Sequence, residues 1–254
     1  MMVTAYPQPG KARSRAVLEA FAQGCGGAIV GDGPAGLSPG AAAFYGLVGI
    51  EHLLNLAIAE EREFFYGDNG HFDVSRQRYF RFAKNSFQIT FPKVAPNALR
   101  FQQTGAELKP WTFSGNHIVV VEQSEHFLSL SGAGRNWLER TVLSLKQHTD
   151  RPIVIRRWRR DKDKASATLR ADLRGAWALV THMSAAATEA VLAGVPVFVS
   201  GRCAALPMAS GELSKIENPK RPEGREDWAG RLAASQWTLE ELYNGDAWRI
   251  LQNE

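Results

Sequence analysis

The chain has 254 residues, 44% hydrophobic and 22% charged, which excludes a disordered polyelectrolyte and leaves room for one large domain or two small ones. Lys and Arg outnumber Asp and Glu by 30 to 26, a formal +4; this permits a phosphorylated ligand or a polyanionic partner without requiring one. Two cysteines without CxxC spacing, Cys25 and Cys203, exclude a disulfide framework or a zinc cluster and fit a reducing compartment.

Along the chain, short apolar runs alternate with helical patterns, the signature of parallel α/β units. Val3–Tyr6 reads as an opening strand, residues 12–22 as a helix with Gly24 near its end, and residues 28–30 as a short buried strand. Residues 42–48 read as a third strand, 50–61 as a helix through Leu53, Leu54, Ala57 and Ile58, and 63–66 as the next strand. The polar stretch Gly67-Asp68-Asn69-Gly70-His71 reads as a turn, and residues 80–91 mix polar and apolar types without a clear period. Pro92, Pro96 and Pro110 interrupt a stretch of little periodicity, so the domain boundary is placed there, giving halves 1–110 and 111–254. In the second half, strands are expected at His117–Val121, 152–155, 176–180 and 195–199. Helices are expected at 135–148, 165–173 and 184–193, with terminal helices at 225–242 and 247–251. Residues 129–134 read as a small-residue loop. The expected fold class is therefore α/β, with two Rossmann-like halves, each built on a parallel sheet, and a cleft between them. Ligands of such sheets bind beyond the carboxyl ends of the strands.

Three segments have the residue types that hold a phosphorylated ligand. In the first, a strand leads through Thr181-His182-Met183-Ser184 into the small-residue helix Ala185-Ala186-Ala187-Thr188-Glu189. The helix start would aim unpaired N–H groups and the positive dipole end past the strand, and Ser184 is placed to cap it. The second is Ser131-Gly132-Ala133-Gly134-Arg135, whose glycines allow a backbone approach to phosphate, or make a plain turn with a helix cap. The third is the basic run from Arg156 and Arg157 to Arg160, where a strand end would bring one arginine fork toward a diphosphate and leave the others solvated. In the first half, Asp68 or His71 is placed to act as the base that a sugar transfer with inversion needs, although the same residues suit a tight turn.

The segment from Trp177 to Val199, with a Ser/Thr-x-x-x-x-Glu helix ahead of Gly194-Val195-Pro196-Val197, resembles the donor-binding part of GT-B glycosyltransferases of the capsule-polysaccharide-synthesis type. The resemblance implies a GT-B-like fold and transfer of a sugar from a nucleotide-sugar to a hydroxyl acceptor, metal-independent and with no bound cofactor, a UDP-sugar being the expected co-substrate. It also implies that Ser184 or Thr188 contacts donor phosphate and that Glu189 contacts the ribose. Tyr66-Gly67-Asp68-Asn69 and Gln236-Trp237-Thr238-Leu239-Glu240-Glu241 are similar to phage-encoded proteins. With the basic balance, that similarity adds a hydroxymethylated DNA base to a glycan as an expected acceptor. The alternative is a non-catalytic nucleotide- or nucleic-acid-binding protein on the same scaffold.

Other patterns are weaker. Residues 31–36 match GxGxxG but open no helix, Asp161-Lys162-Asp163 sits in a charge cluster, and His117 and His126 are isolated; no metal site is expected. No apolar run reaches the roughly 18 residues of a membrane span, and the first residues lack a secretory pattern, so a cytoplasmic location is expected.

Overall fold

The computed structural model describes residues 2–31, 35–72, 78–157 and 168–253. The middle of the GxGxxG pattern (32–34), the basic residues 158–160, the Asp161-Lys162-Asp163 cluster and the start of the helix expected at 165–173 lie outside the described residues. The chain divides into two compact units, Met1–Ala106 with Asp227–Glu254, and Glu107–Glu226.

The first unit holds β1 (Val3–Tyr6), α1 (Ala12–Cys25), β2 (Ala28–Ile29), β3 (Ala41–Tyr45), α2 (Glu51–Ala59), β4 (Phe64–Asn69), β5 (Phe80–Lys84) and α3 (Ala98–Gln103). Its sheet runs β2-β1-β3-β4-β5, with parallel pairs except β4 and β5, which are antiparallel. That last pairing corrects the expected turn at 67–71. Gly67, Asp68 and Asn69 continue β4, because β5 supplies partners for them: Asp68 stands opposite Arg81 and Asn69 opposite Phe80.

Three helices from the chain's end complete this unit: α8 (Arg225–Ala234) enters it, and α9 (Leu239–Tyr243) and α10 (Asp246–Leu251) follow. Their place in the sequence predicts that they belong with the second half. They belong to the first because their apolar faces join its core: Trp237, Leu242, Ala247 and Leu251 pack with Val17, Phe21, Phe65 and Phe82. Gly24 makes the approach possible, since a Cβ there would lie 1.9 Å from the Leu242 carbonyl oxygen. The helix expected over 225–242 breaks at Ser235–Thr238, where Trp237 pairs with Phe80 and Thr238 starts α9 in a capping box with Glu241.

The second unit holds β6 (His117–Val121), α4 (Glu125–Leu130), α5 (Trp137–Leu145), β7 (Ile153–Arg156), α6 (Leu169–Asp172), β8 (Ala176–Thr181), α7 (Ala186–Leu192), β9 (Val197–Val199) and β10 (Ala209–Ser210). Its sheet is parallel throughout, in the order β10-β9-β8-β6-β7. The β-branched run Ile118, Val119, Val120 is fully buried, as a strand covered on both faces requires. Among the described residues no helix is long and apolar enough to cross a membrane.

Candidate functional site

Both sheets have the doubly wound order in which the chain first moves to one side of its opening strand and then crosses to the other. The crossing leaves a crevice beyond the carboxyl ends of two neighbouring strands. In the second unit those strands are β6 and β8. Their ends are level: Val121 pairs with Thr181, Thr181 with Val199, and Val121 with Arg156. One residue further on, Arg157, Glu122, His182 and Ser200 therefore form a row along the rim.

The row is built of side chains that bind one another. Trp137, the first residue of α5, donates its indole N–H to Ser200 Oγ at 2.9 Å, and Ser200 Oγ lies 2.9 Å from His182 Nδ1. His182 Nε2 lies 2.8 Å from Ser131 Oγ, whose own proton goes back to the Phe127 carbonyl at 2.7 Å. In the neutral ring one nitrogen donates to a serine hydroxyl and the other accepts from one, so both contacts can be satisfied at once. Burial favours the neutral ring, pushing the His182 pKa below its ordinary value. The ring lies 6.0 Å from that of Trp137, and a Cβ at Gly201 would come within 2.7 Å of it, so a glycine is needed there.

Of the residues singled out by sequence, Ser131 and His182 are brought into contact. The others differ in ways that matter. Ser131, Gly132 and Ala133 spend their N–H groups on the Phe127, Ser129 and Leu128 carbonyls, closing α4, a helix that occupies the start of the expected loop. Those amides are therefore not a phosphate nest. At α7, Ser184 Oγ accepts from the Ala186 N–H, and the Ser184 and Ala185 carbonyls accept from Ala187 and Thr188. A tight turn has satisfied the donors that a longer helix would have presented. Thr188 is buried on the packed face of α7, whereas Ser184 and Glu189 are half-buried. Arg156 and Arg157 are ion-paired, Arg156 to Asp172 at 2.6 Å and Arg157 to Glu122 at 3.3 Å. Gly134 and Arg135 are exposed beside α5.

Trp137 and Ser200 are not among the residues that the sequence singles out. Ser200 follows the apolar run of β9 as His182 follows that of β8, and this parallel was the available signal. His117 is structural, bound to Asn116 and to the Asp172 carbonyl.

The first unit carries a separate polar cluster beyond β3 and β4. Arg13 donates to Tyr45 Oη at 3.1 Å and to Asn69 Oδ1 at 2.9 Å, and its guanidinium lies 5.1 Å from the centre of the Phe80 ring. Asp68 accepts from the Asn69 N–H at 2.8 Å and pairs with the buried Arg81 at 3.1 Å. His71 follows two residues after the strand end. Its Nε2 is buried with no partner among the described residues, and burial, with the charge of Arg81 second, holds its pKa well below the ordinary value. Among the described residues no group of His, Cys, Asp and Glu could hold a metal ion.

No protein-family model matches the chain, and no curated protein matches it. Solved structures do. The KpsC β-Kdo 2,7-transferase of Thermosulfurimonas dismutans is similar over 100% of this chain and 99% of its own, at 13% identity and a TM-score of 0.54. This chain has a GT-B-like fold. The β-Kdo 2,4-transferase of the same organism is similar over 91% and 90%, at 12% identity and a TM-score of 0.49.

Proposed function

We propose that the protein is a glycosyltransferase that takes a sugar from a nucleotide-sugar and places it on an acceptor hydroxyl. The observation that carries this reading is the polar row at the β6/β8 crevice, in a chain with the fold of capsule-type transferases. The second unit holds the donor. Ser184 provides a side-chain donor, His182 and Ser131 do so on exchange of their internal partners, and Glu189 binds ribose hydroxyls. Arg135 and, on exchange of their carboxylate partners, Arg156 and Arg157 balance the charge of the leaving phosphate.

The first unit holds the acceptor. In the transfer, the acceptor oxygen bonds to the anomeric carbon as the bond from that carbon to the phosphate oxygen breaks. Asp68 or His71 takes the acceptor's proton. A low histidine pKa keeps His71 unprotonated, as a base must be. The +4 balance supports a hydroxymethylated DNA base as a second acceptor class beside a glycan, and such a base must leave the duplex to react.

The test is isothermal titration against nucleotide-sugars, paired with Glu189→Ala. Binding of one donor, weakened by the substitution, supports the reading. A folded protein that binds none counts against it, and unchanged affinity removes the role given to Glu189. For the DNA acceptor, duplex affinity must fall steeply with salt, and absence of binding at low salt discards it.

A further inference from the structure

Asp68 and His71 stand as alternative bases near the end of β4, and their surroundings separate them. Asp68 is still inside the strand, opposite Arg81 in the β4/β5 register, and its side chain is 39% exposed. His71 lies two residues beyond the strand, and its Nε2 is covered by protein. A base must come within hydrogen-bond reach of the proton it takes. Asp68 meets that condition from the surface, and His71 Nε2 does not.

The Asp68 carboxylate is held on both oxygens. Oδ1 accepts from the Asn69 N–H at 2.8 Å, and Oδ2 accepts from Arg81 at 3.1 Å. An ionised carboxylate has about four acceptor sites, so each oxygen keeps room for one more donor. Arg81 is itself tied down. Its Nε donates to the Asn69 carbonyl at 3.0 Å, and a terminal nitrogen donates to the Phe87 carbonyl at 3.0 Å. Asn69 is fixed in turn, since its Oδ1 accepts from Arg13 at 2.9 Å and from Tyr45 Oη at 3.0 Å. Only 8% of the Arg81 side chain is exposed, so it acts on a ligand through Asp68 and not by contact. Its planar fork, anchored on two carbonyls, sets the direction of the carboxylate in a way that a lysine ammonium does not. We infer that Arg81 is a positioning residue for Asp68, and that Asp68 rather than His71 takes the acceptor's proton. The inference rests on the transferase reading above and narrows its base to one residue.

Water serves as the acceptor in the test. Its oxygen bonds to the anomeric carbon as the bond from that carbon to the phosphate oxygen breaks, and its proton passes to Asp68 and then to solvent. The full chain is assayed for hydrolysis of UDP-glucose, GDP-mannose, dTDP-glucose and CMP-N-acetylneuraminate, with binding measured by titration in parallel. The natural protein should bind one of them and release its nucleotide. Asp68→Asn should lower turnover at least about a hundredfold, as loss of a general base does, with donor affinity unchanged. Arg81→Lys keeps the charge and loses the fork. In samples whose melting curves show a folded protein it should lower kcat about tenfold at unchanged KM, because the carboxylate is misplaced; a merely structural role would move the melting temperature and leave kcat alone. Arg81→Met should lower kcat further, and if it does not fold, Arg81→Lys decides. Unchanged kcat in Arg81→Lys overturns the positioning role. Turnover kept in Asp68→Asn and lost in His71→Asn overturns the choice of base and leaves the donor reading standing. Natural protein that binds a donor and hydrolyses none overturns the inference alone. Natural protein that binds none overturns both.

Discussion

The two sheets share one strand order and treat their crevices differently. In the first, the crevice lies between β1 and β3, and a side chain from the end of β1 binds the loop after β3. In the orientation that satisfies both its polar ends, the Gln8 amide accepts from the Leu47 N–H at 3.0 Å and the Val48 N–H at 2.6 Å. In the second, the crevice lies between β6 and β8 and is rimmed by His182, Ser200 and Ser131. A shared topology thus sets where a ligand site is available, and the side chains at the two rims differ. The first sheet's polar cluster has moved one strand over, to the end of β4.

Substitutions in the first sheet should act on stability. Arg81→Met removes a buried guanidinium that holds the Asn69 and Phe87 carbonyls and Asp68. It should cost about 3 kcal/mol in urea unfolding, at the low end for a broken buried pair because Asp68 is partly exposed. A cost below about 1 kcal/mol would mean that the cluster does not hold β4 to β5. Gln8→Leu strands two loop N–H groups and should cost about 2 kcal/mol. Nucleotide-sugar affinity should not change, and a change would break the distinction between the two crevices.

Acid sharpens the same contrast. His71 and His182 both have pKa values below the ordinary 6.5, His71 the more strongly. Between the folded value and 6.5 the unfolded chain binds more protons, so stability is complete above about pH 6.5 and falls as the pH drops. His71→Leu should flatten that acid limb more than His182→Phe, as read from melting temperatures between pH 7 and 5. The reverse order would contradict the burial of His71. The smallest effect on folding is expected from Ser200→Ala. It should cost about 1 kcal/mol of stability or less. Nucleotide-sugar binding should nevertheless weaken severalfold, because His182 loses the partner that fixes its tautomer. Unchanged binding would separate the Trp137–Ser200–His182 chain from function.

Much of the fold was legible because buried parallel strands leave apolar runs, as at Ile118–Val120 and Val197–Val199, and small residues mark the helices between. The turn expected at 67–71 shows what was not legible. Gly67, Asp68 and Asn69 have turn chemistry, yet they extend a strand because Arg81, twelve or more residues on, pairs across from Asp68; local propensity carries no record of that partner. The terminal helices were misplaced for the same reason, since Gly24 and Leu242 meet only in three dimensions. At the candidate site, residue types pointed to Ser131 and His182. The use of the loop amides did not show, because α4 and the turn at Ser184 consume them in hydrogen bonds that sequence alone does not reveal.

On the function proposed above, a nucleotide-sugar binds at the β6/β8 crevice and not at the β1/β3 crevice. Backbone amide NMR of the full chain, recorded as a bound nucleotide-sugar is titrated in, tests it directly. Glu122, His182 and Ser184 should shift while Leu47 and Val48 stay fixed. Shifts confined to Leu47 and Val48, with the β6 and β8 ends unmoved, would contradict it.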